Sequence, residues 1–235
     1  MTARVDVWFS SLDAQPTLLE SLRTTLSRDE QERAARFHFA RDRDRYIVGR
    51  GLLRSLLGER VQAKPSELRF DYSPYGKPRL RGHDAITFNV SHSANRAVFA
   101  IADGVPVGVD VEVLDSKPSD ELVARQFFSA LEVGEFLSLP LETRPRAFLT
   151  TWTRKEAYIK ARGEGLSLPL QDFDVTLLPG VRPELRRTAW SETEPSEWLL
   201  YDISAACPGC IAALAVRAAA AEVSLSELPP SQTDS

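Results

Sequence analysis

Two acidic residues and a later acid–lysine pair have the types and spacing of a site for a divalent cation. Side chains alternate faces along an extended strand, so Asp110 and Glu112 would point the same way. Residues four apart share a face of a helix, so Glu156 and Lys160 would lie together. Carboxylates without a nearby His or Cys suit Mg²⁺, which keeps coordination positions for water and substrate phosphate. We therefore predict that Asp110, Glu112 and Glu156 bind one cation beside Lys160.

The same segments have a second interpretation. Asp110 and Glu112 could be solvated acids on a surface strand, with Val109 and Val111 facing the core. The segment around Glu156 could be a charged amphipathic helix with no role in chemistry. Either segment alone is compatible with both interpretations, so the choice depends on the rest of the chain.

The elements that must position these residues form two similar halves, each with a long helix followed by strands. This order favours an α+β fold with small antiparallel sheets over alternating strands and helices. Serines followed three residues later by glutamate predict two further helix starts, at Arg28–Phe37 and Ala130–Leu139. The other predicted helices are Arg41–Leu57 and Arg146–Ala161; the predicted strands are Leu68–Tyr72, Ile86–Ser91, Arg96–Ala102, Val107–Val113, Phe173–Leu178, Trp198–Ala206 and Ile211–Arg217.

We predict two subdomains, residues 1–106 and 107–221, with the acidic strand at the start of the second. The segment 222–235 contains Pro229–Pro230 and small polar residues, and its composition predicts disorder. Cys207 and Cys210 flank a Pro-Gly pair. They could form a redox pair, but the predicted strands on both sides favour a hairpin turn, and two cysteines are too few for structural zinc.

Composition bounds the class of protein. The 235 residues are 43% hydrophobic and 26% charged, which is typical of a globular domain in water. A net charge of −4 gives no general attraction to nucleic acid or anionic membrane. No apolar run reaches membrane-spanning length, and Arg4 and Asp6 interrupt the place where a signal peptide needs an apolar core. We expect a cytoplasmic location, with no nucleic-acid or membrane partner.

The order of motifs resembles that of the Sfp-type 4'-phosphopantetheinyl transferases from about residue 26 to about residue 170, with weaker likeness to about 216. Several spaced matches in one order are more specific than any single short motif. The matching segments are Arg36–Asp42 with Gly49, Tyr75–Pro78, Phe88–Ser93, Gly108–Glu112, Phe127–Ser129 with Glu132, and Trp152–Leu166.

This resemblance implies transfer of 4'-phosphopantetheine from coenzyme A to a serine of an apo acyl, peptidyl or aryl carrier protein. It implies Mg²⁺ as the cation, with Mn²⁺ as an alternative, and release of adenosine 3',5'-bisphosphate. Such carriers serve fatty acid, polyketide and nonribosomal peptide biosynthesis. The resemblance also implies two subdomains in pseudo-twofold arrangement, each with a small antiparallel sheet on a long helix, and an active site in the cleft between them. Because one chain contains both halves, we expect a monomer.

The resemblance assigns roles residue by residue. Glu156 would act as the base for the attacking serine as well as a metal ligand, and Lys160 would neutralise or protonate the leaving phosphate. We expect the carrier to dock near Leu114–Ala124 and Phe127–Phe128. The residues expected to bind coenzyme A are Arg41, Arg45, Gly76, Lys77, Pro78, Asn89, Ser91, His92 and Lys160.

Other functions remain open on the sequence alone. The arginine-rich segment from Arg28 to Arg54 has interleaved acids, which favours a solvated, ion-paired helix face over RNA binding. A small kinase would need a Gly-rich phosphate loop or a His-Arg-Asp loop, and neither motif occurs. A coenzyme A-binding regulator with weak catalysis and a scaffold that only binds carriers remain as alternatives.

Overall fold

The computed structural model describes residues 2–114, 121–165 and 168–228. Along the chain, runs of helices are followed by runs of strands, and the strands form small sheets. The helices of this part of the chain are α1 Pro16–Thr25, α2 Arg28–Ala35, α3 Ala40–Val61, α4 Glu121–Phe127, α5 Ala130–Ser138 and α6 Arg144–Arg162, with 3₁₀ turns at Pro65–Glu67, Leu170–Asp172, Glu194–Glu197 and Ser204–Ala206. The strands are β1 Ala3–Ser11, β2 Phe70–Tyr72, β3 Pro78–Leu80, β4 Ile86–Ser93, β5 Arg96–Asp103, β6 Val107–Val113, β7 Phe173–Val175, β8 Leu185–Thr188, β9 Trp198–Asp202, β10 Cys210–Arg217 and β11 Ala221–Glu227.

Two main sheets carry the fold. The first has the strand order β11-β1-β5-β4 and the second β6-β10-β9; β2-β3 and β7-β8 are separate two-stranded ribbons. All pairs are antiparallel except β1 with β11, which is parallel. The predicted α+β class with small sheets is therefore confirmed. The boundary at residue 106 stays a prediction.

Three clusters of the hydrophobic core lie between successive layers of the structure, which are α3, the first sheet, the second sheet and α6. Side chains of α3 such as Ile47 and Leu57 pack with Phe99 on one face of the first sheet. The opposite face, with Val7 of β1, packs against Val109 of the second sheet in a shared core, to which β10 also contributes. The outer face of the second sheet is covered by α6. Each long helix thus covers one sheet, and the two sheets meet between them.

Most predicted elements occur close to their expected bounds. Strand β6 coincides with the predicted strand at 107–113, and both capping boxes form, at Ser27 with Glu30 and at Ser129 with Glu132. The predicted hairpin is interrupted, because β9 ends at Asp202 and a 3₁₀ turn precedes the Cys-Pro-Gly-Cys segment. The Cys210 N–H donates to the Cys207 carbonyl at 2.9 Å, which closes that segment as a turn.

The predicted disorder of residues 222–235 is wrong for residues 222–227. These residues belong to β11, which lies parallel to β1 with Ala3 opposite Ala221 and Phe9 opposite Glu227. The free edge of β1 supplies backbone partners that composition does not reveal, and Val223 packs against the core between the sheets. The Ser224 hydroxyl also donates to Asp6 Oδ1 at 2.6 Å. Residues 229–235 lie outside the described part of the chain.

Gly108 allows α6 to approach β6 closely. A Cβ at this position would lie 2.1 Å from the Ala157 carbonyl oxygen and 2.3 Å from the Ala161 nitrogen. Because both atoms belong to the helix backbone, they cannot move aside as a side chain could. The absence of a side chain at Gly108 therefore sets the distance between the strand that carries Asp110 and the helix that carries Glu156.

We predict that Gly108→Ala lowers the free energy of unfolding by about 1–3 kcal/mol or more, because added methylenes at well-packed sites typically cost this much. The matched control is Gly134→Ala in α5, where a Cβ would meet nothing within 4 Å. This exposed helical position should gain about 0.5–1 kcal/mol from the same substitution. Urea denaturation of the two variants measures the difference, and equal unfolding midpoints would contradict the close approach.

Candidate active site

Three polar side chains of β4 join the two sheets at their facing edges. Asn89, Ser91 and Ser93 lie at alternating positions, and we call them the β4 polar face. Asn89 Oδ1 accepts from the Val109 N–H at 2.9 Å. The hydroxyl groups of Ser91 and Ser93 donate to the two acids of β6, Asp110 and Glu112. Side chains, and not backbone pairing, therefore connect β4 to β6. We call this polar contact between the two sheets the seam; its residues are Asn89, Ser91, Ser93, Asp110 and Glu112.

Asp110 is the most buried acid of this seam, with 3% of its surface exposed. Its Oδ1 accepts from Ser91 Oγ at 2.7 Å and from Lys160 Nζ at 2.6 Å, and Lys160 Nζ also lies 2.9 Å from Ser91 Oγ. Burial raises the pKa of Asp110, against the opposing effect of Lys160. Asp110 Oδ2 is buried without a hydrogen-bond partner. A buried carboxylate oxygen without a donor needs a partner, such as a water molecule or a cation.

Glu156 lies half-buried one turn before Lys160 on α6. Burial is the main cause that raises the pKa of its carboxyl group; the charges of Asp110 and Glu112 raise it further, and Lys160 lowers it. The charges of the other two acids and of the lysine therefore all influence Glu156. A carboxyl group whose pKa lies above its ordinary value is better suited to accept a proton near neutral pH.

In this structure the three acids are not arranged around a common position for a metal ion. Among residues 2–114, 121–165 and 168–228, no group of three or more His, Cys, Asp or Glu residues is arranged so that it could hold a metal ion. Asp110 is paired with Lys160, and Glu112 with Ser93. The donor set nevertheless fits Mg²⁺, because it is all oxygen and includes the unpartnered Asp110 Oδ2. The cation site at Asp110, Glu112 and Glu156 stays a prediction.

A cavity of about 510 Å³ opens beside the seam. Its walls include four of the residues expected to bind coenzyme A, namely Arg45, Pro78, Asn89 and His92. The strand alternation sends His92 to the cavity, where it is exposed, and Ser91 to the seam, where it is buried. The complete lining is Leu12, Arg33, Phe37, Asp42, Arg45, Tyr46, Gly49, Arg50, Leu53, Pro78, Asn89, Val90, His92, Ala94 and Ala97.

Two arginines of the cavity, Arg33 and Arg50, were not singled out from the sequence. Arg33 lies over the Tyr46 ring at 5.4 Å, and Arg50 forms an ion pair with Glu30. Helical spacing places Arg50 on the same face of α3 as Tyr46, but nothing in the sequence singles out that face. Arg33 lies on α2, and no spacing rule connects it to that face.

Arg41 and Gly76 do not line the cavity. Arg41 is exposed in the first turn of α3 and pairs with Asp42 at 3.4 Å. Gly76 adopts a φ of +82° in the exposed loop that links β2 to β3. Their expected contacts with coenzyme A stay predictions.

Ser91 and Lys77, both expected to bind coenzyme A, have well-defined contacts within the protein, and their expected contacts with coenzyme A stay predictions. The Ser91 hydroxyl donates to Asp110 Oδ1 and accepts from Lys160 Nζ. Lys77 Nζ donates to the carbonyl oxygens of Lys160 at 2.6 Å, Ala161 at 3.0 Å and Val107 at 3.2 Å. A lysine at the carboxyl end of a helix is favoured by the helix dipole. In this structure Lys77 therefore links α6 to β6.

Comparisons with known proteins identify the family of the chain. Residues 106–216 match the family described as "4'-phosphopantetheinyl transferase superfamily", and residues 13–103 match "4'-phosphopantetheinyl transferase, N-terminal". The 4'-phosphopantetheinyl transferase HetI of Nostoc sp. is 37% identical over 92% of this chain and 89% of its own length. The chain belongs to the 4'-phosphopantetheinyl transferase superfamily.

Further relatives carry the same activity in their names. The 4'-phosphopantetheinyl transferase Sfp of Bacillus subtilis is 35% identical over 67% of this chain and 69% of its own length. The psf-1 transferase of Bacillus pumilus is 35% identical over 72% of this chain and 71% of its own. The resemblance seen in the motifs is therefore confirmed, and this 4'-phosphopantetheinyl transferase family member is an enzyme. None of the helices in the described ranges is long and apolar enough to cross a membrane.

The buried ammonium of Lys77 predicts a pH dependence of stability. Burial lowers the pKa of Lys77 to about 8, from 10.5 for a free lysine. Between these values the unfolded chain binds more protons at this position than the folded chain does, so this contribution to the free energy of unfolding rises with pH. We expect the difference in that free energy, wild type minus Lys77→Met, to rise from about pH 8 to 10.5 and to be flat below.

Urea denaturation at a series of pH values measures this difference, and subtraction removes the groups common to both proteins. Lys64→Met is the matched control, because Lys64 is exposed and forms only an ion pair with Glu67 at 3.5 Å. If both substitutions give the same pH profile, the Lys77 ammonium does not titrate as a buried group.

Proposed function

We propose that this transferase moves the 4'-phosphopantetheine group of coenzyme A to a serine of an apo carrier protein, with Mg²⁺, and releases adenosine 3',5'-bisphosphate. The observation that carries the proposal is the seam itself. There Lys160 and a partly unsatisfied Asp110 lie together. The cavity that Arg45 and His92 line adjoins them through Asn89 and Ser91 of the same strand. A site for phosphate and a site for the attacking group would thus be adjacent.

Asp110, Glu112 and Glu156 would hold the cation, Mg²⁺ or alternatively Mn²⁺. When bound, such an ion neutralises charge on the diphosphate oxygens. Support comes from the oxygen-only donor set and from the unpartnered Asp110 Oδ2. Mutual repulsion also supports it, because Asp110 and Glu112 both raise the pKa of Glu156. A cation would relieve this repulsion.

The cavity would hold the nucleotide part of coenzyme A. Arginine guanidinium groups bind phosphate oxygens through paired hydrogen bonds, and Arg33, Arg45 and Arg50 all line the cavity. Arg45 is paired with Asp13 at 2.8 Å, so phosphate binding would compete with that carboxylate. His92 would add a hydrogen bond without transferring a proton. The further candidates for contact with the same ligand remain Arg41, Gly76, Lys77, Pro78, Asn89, Ser91 and Lys160.

Glu156 and Lys160 would carry the proton transfers. The carrier serine forms a bond from its hydroxyl oxygen to the β-phosphorus of coenzyme A, and the bond to the oxygen of the α-phosphate breaks. Glu156 would take the serine proton, directly or through water, because burial raises the pKa of its carboxyl group. Lys160 would neutralise or protonate the leaving phosphate. Its Nζ is already in the seam, 2.6 Å from Asp110 Oδ1.

The carrier would approach the seam from the side of α4. Leu114, at the end of β6, is 41% exposed and Leu122 is 77% exposed, which supports an apolar docking area there. Phe128 is buried, and Phe127 packs edge-on against Trp152, so they support the fold of this region. Residues 115–120 of the expected docking stretch lie outside the described ranges. The kind of carrier, a monomeric state and a cytoplasmic location remain expectations.

One experiment tests the function and separates it from its alternatives. Purified protein is incubated with coenzyme A, Mg²⁺ and a panel of apo acyl, peptidyl and aryl carriers, and each carrier is weighed by mass spectrometry. We expect the mass of one phosphopantetheine group to be added to at least one carrier. Coenzyme A binding without any transfer would indicate the regulator instead, and carrier binding without coenzyme A affinity would indicate the scaffold.

We predict that Glu156→Gln lowers turnover by about 10²–10⁴-fold, the usual contribution of a general base. The amide has nearly the same shape but cannot accept the serine proton. Glu142→Gln, at an exposed position before α6, is the matched control and should behave as wild type. Turnover is followed by mass spectrometry of the carrier, and coenzyme A affinity by calorimetry. A Glu156→Gln enzyme with wild-type turnover would remove the base assignment.

A further inference from the structure

Ser93 holds the second acid of β6 by a hydroxyl whose direction is fixed. Its Oγ accepts from the Val113 N–H at 3.2 Å and donates to Glu112 Oε2 at 2.6 Å. A serine hydroxyl has one proton and two acceptor lone pairs. Because a backbone N–H approaches a lone pair, the proton is free to be directed at the carboxylate. The side chain of Ser93 thus links the backbone of β6 to Glu112.

Each acid of β6 has its own serine on β4. Ser91 donates to Asp110 and Ser93 donates to Glu112, because both strands repeat every two residues and run beside each other. The two acids differ in how much they depend on the serine hydrogen bond to hold their position. Asp110 is short, buried and also held by Lys160. Glu112 is longer and only half-buried, and fixing its extra rotatable bond costs entropy that the Ser93 hydrogen bond offsets.

We propose that Ser93 is a positioning residue for the transfer reaction: it holds the Glu112 carboxylate on the side of β6 where Asp110 lies, ready to bind the cation. This inference rests on the proposed cation site. It is supported by the two hydrogen bonds of Ser93, which link the Glu112 carboxylate to the backbone of β6. Hydrogen-bond partners behind a metal ligand orient it and raise the affinity of the site.

Removal of the hydroxyl by Ser93→Ala should lower cation affinity by about 10–100-fold, as for other residues behind metal ligands. Mn²⁺ is the probe, and its binding to the protein with coenzyme A present is measured by electron paramagnetic resonance, independently of turnover. Ser93→Thr keeps the hydroxyl and should restore most of the affinity. Unfolding midpoints of both variants show whether the protein remains folded. Equal Mn²⁺ affinity of Ser93→Ala and wild type would overturn the inference.

A double-mutant cycle separates positioning from a general structural effect. If Ser93 acts through Glu112, then Ser93→Ala should have no further effect on Mn²⁺ affinity in a Glu112→Ala background. Additive losses would overturn the inference and leave the cation site intact. If Glu112→Ala alone leaves Mn²⁺ affinity at the wild-type value, the proposed cation site is wrong, and the role of Ser93 falls with it.

Discussion

The hydrogen bonds from side chains of β4 to the edge of β6 are the interaction on which the site depends. An edge strand has N–H groups that need partners, and a neighbouring strand usually supplies them. Here Asn89 binds the Val109 N–H and Ser93 binds the Val113 N–H. Backbone pairing of β4 with β6 would merge the two sheets and close the seam. The polar side chains hold the strands together and keep polar groups between them.

This seam also explains why buried charge is tolerated. Burial of Asp110 is costly unless hydrogen bonds and an opposite charge compensate it. Ser91 and Lys160 compensate one oxygen, and the other oxygen has no partner. The close contact at Gly108 keeps α6 near enough for Lys160 to reach β6. The protein can therefore fold with the Asp110 carboxylate buried. The negative charge of this carboxylate is still incompletely neutralised, which favours the binding of a cation.

Local periodicity predicted the elements and the faces on which the acids lie. The two-residue repeat of β6 and the four-residue spacing on α6 are properties of short segments, so one sequence suffices to predict them. The partners of Lys77 could not be predicted, because the carbonyl of Lys160 is 83 residues away. The strand β11 was missed for a similar reason: its polar residues are ordered by β1, at the opposite end of the chain.

Those long-range contacts tie the two halves into one functional unit. The cavity belongs mainly to α3 and β4, whereas Glu156 and Lys160 belong to α6. In the proposed transfer, the phosphates of one ligand would have to reach both, and small errors in position would cost much of the rate. Lys77 binds carbonyls of both β6 and α6 from a loop of the first half. Together with the β4 polar face, it fixes the position of the cavity relative to the acids, so neither half could assemble the site alone.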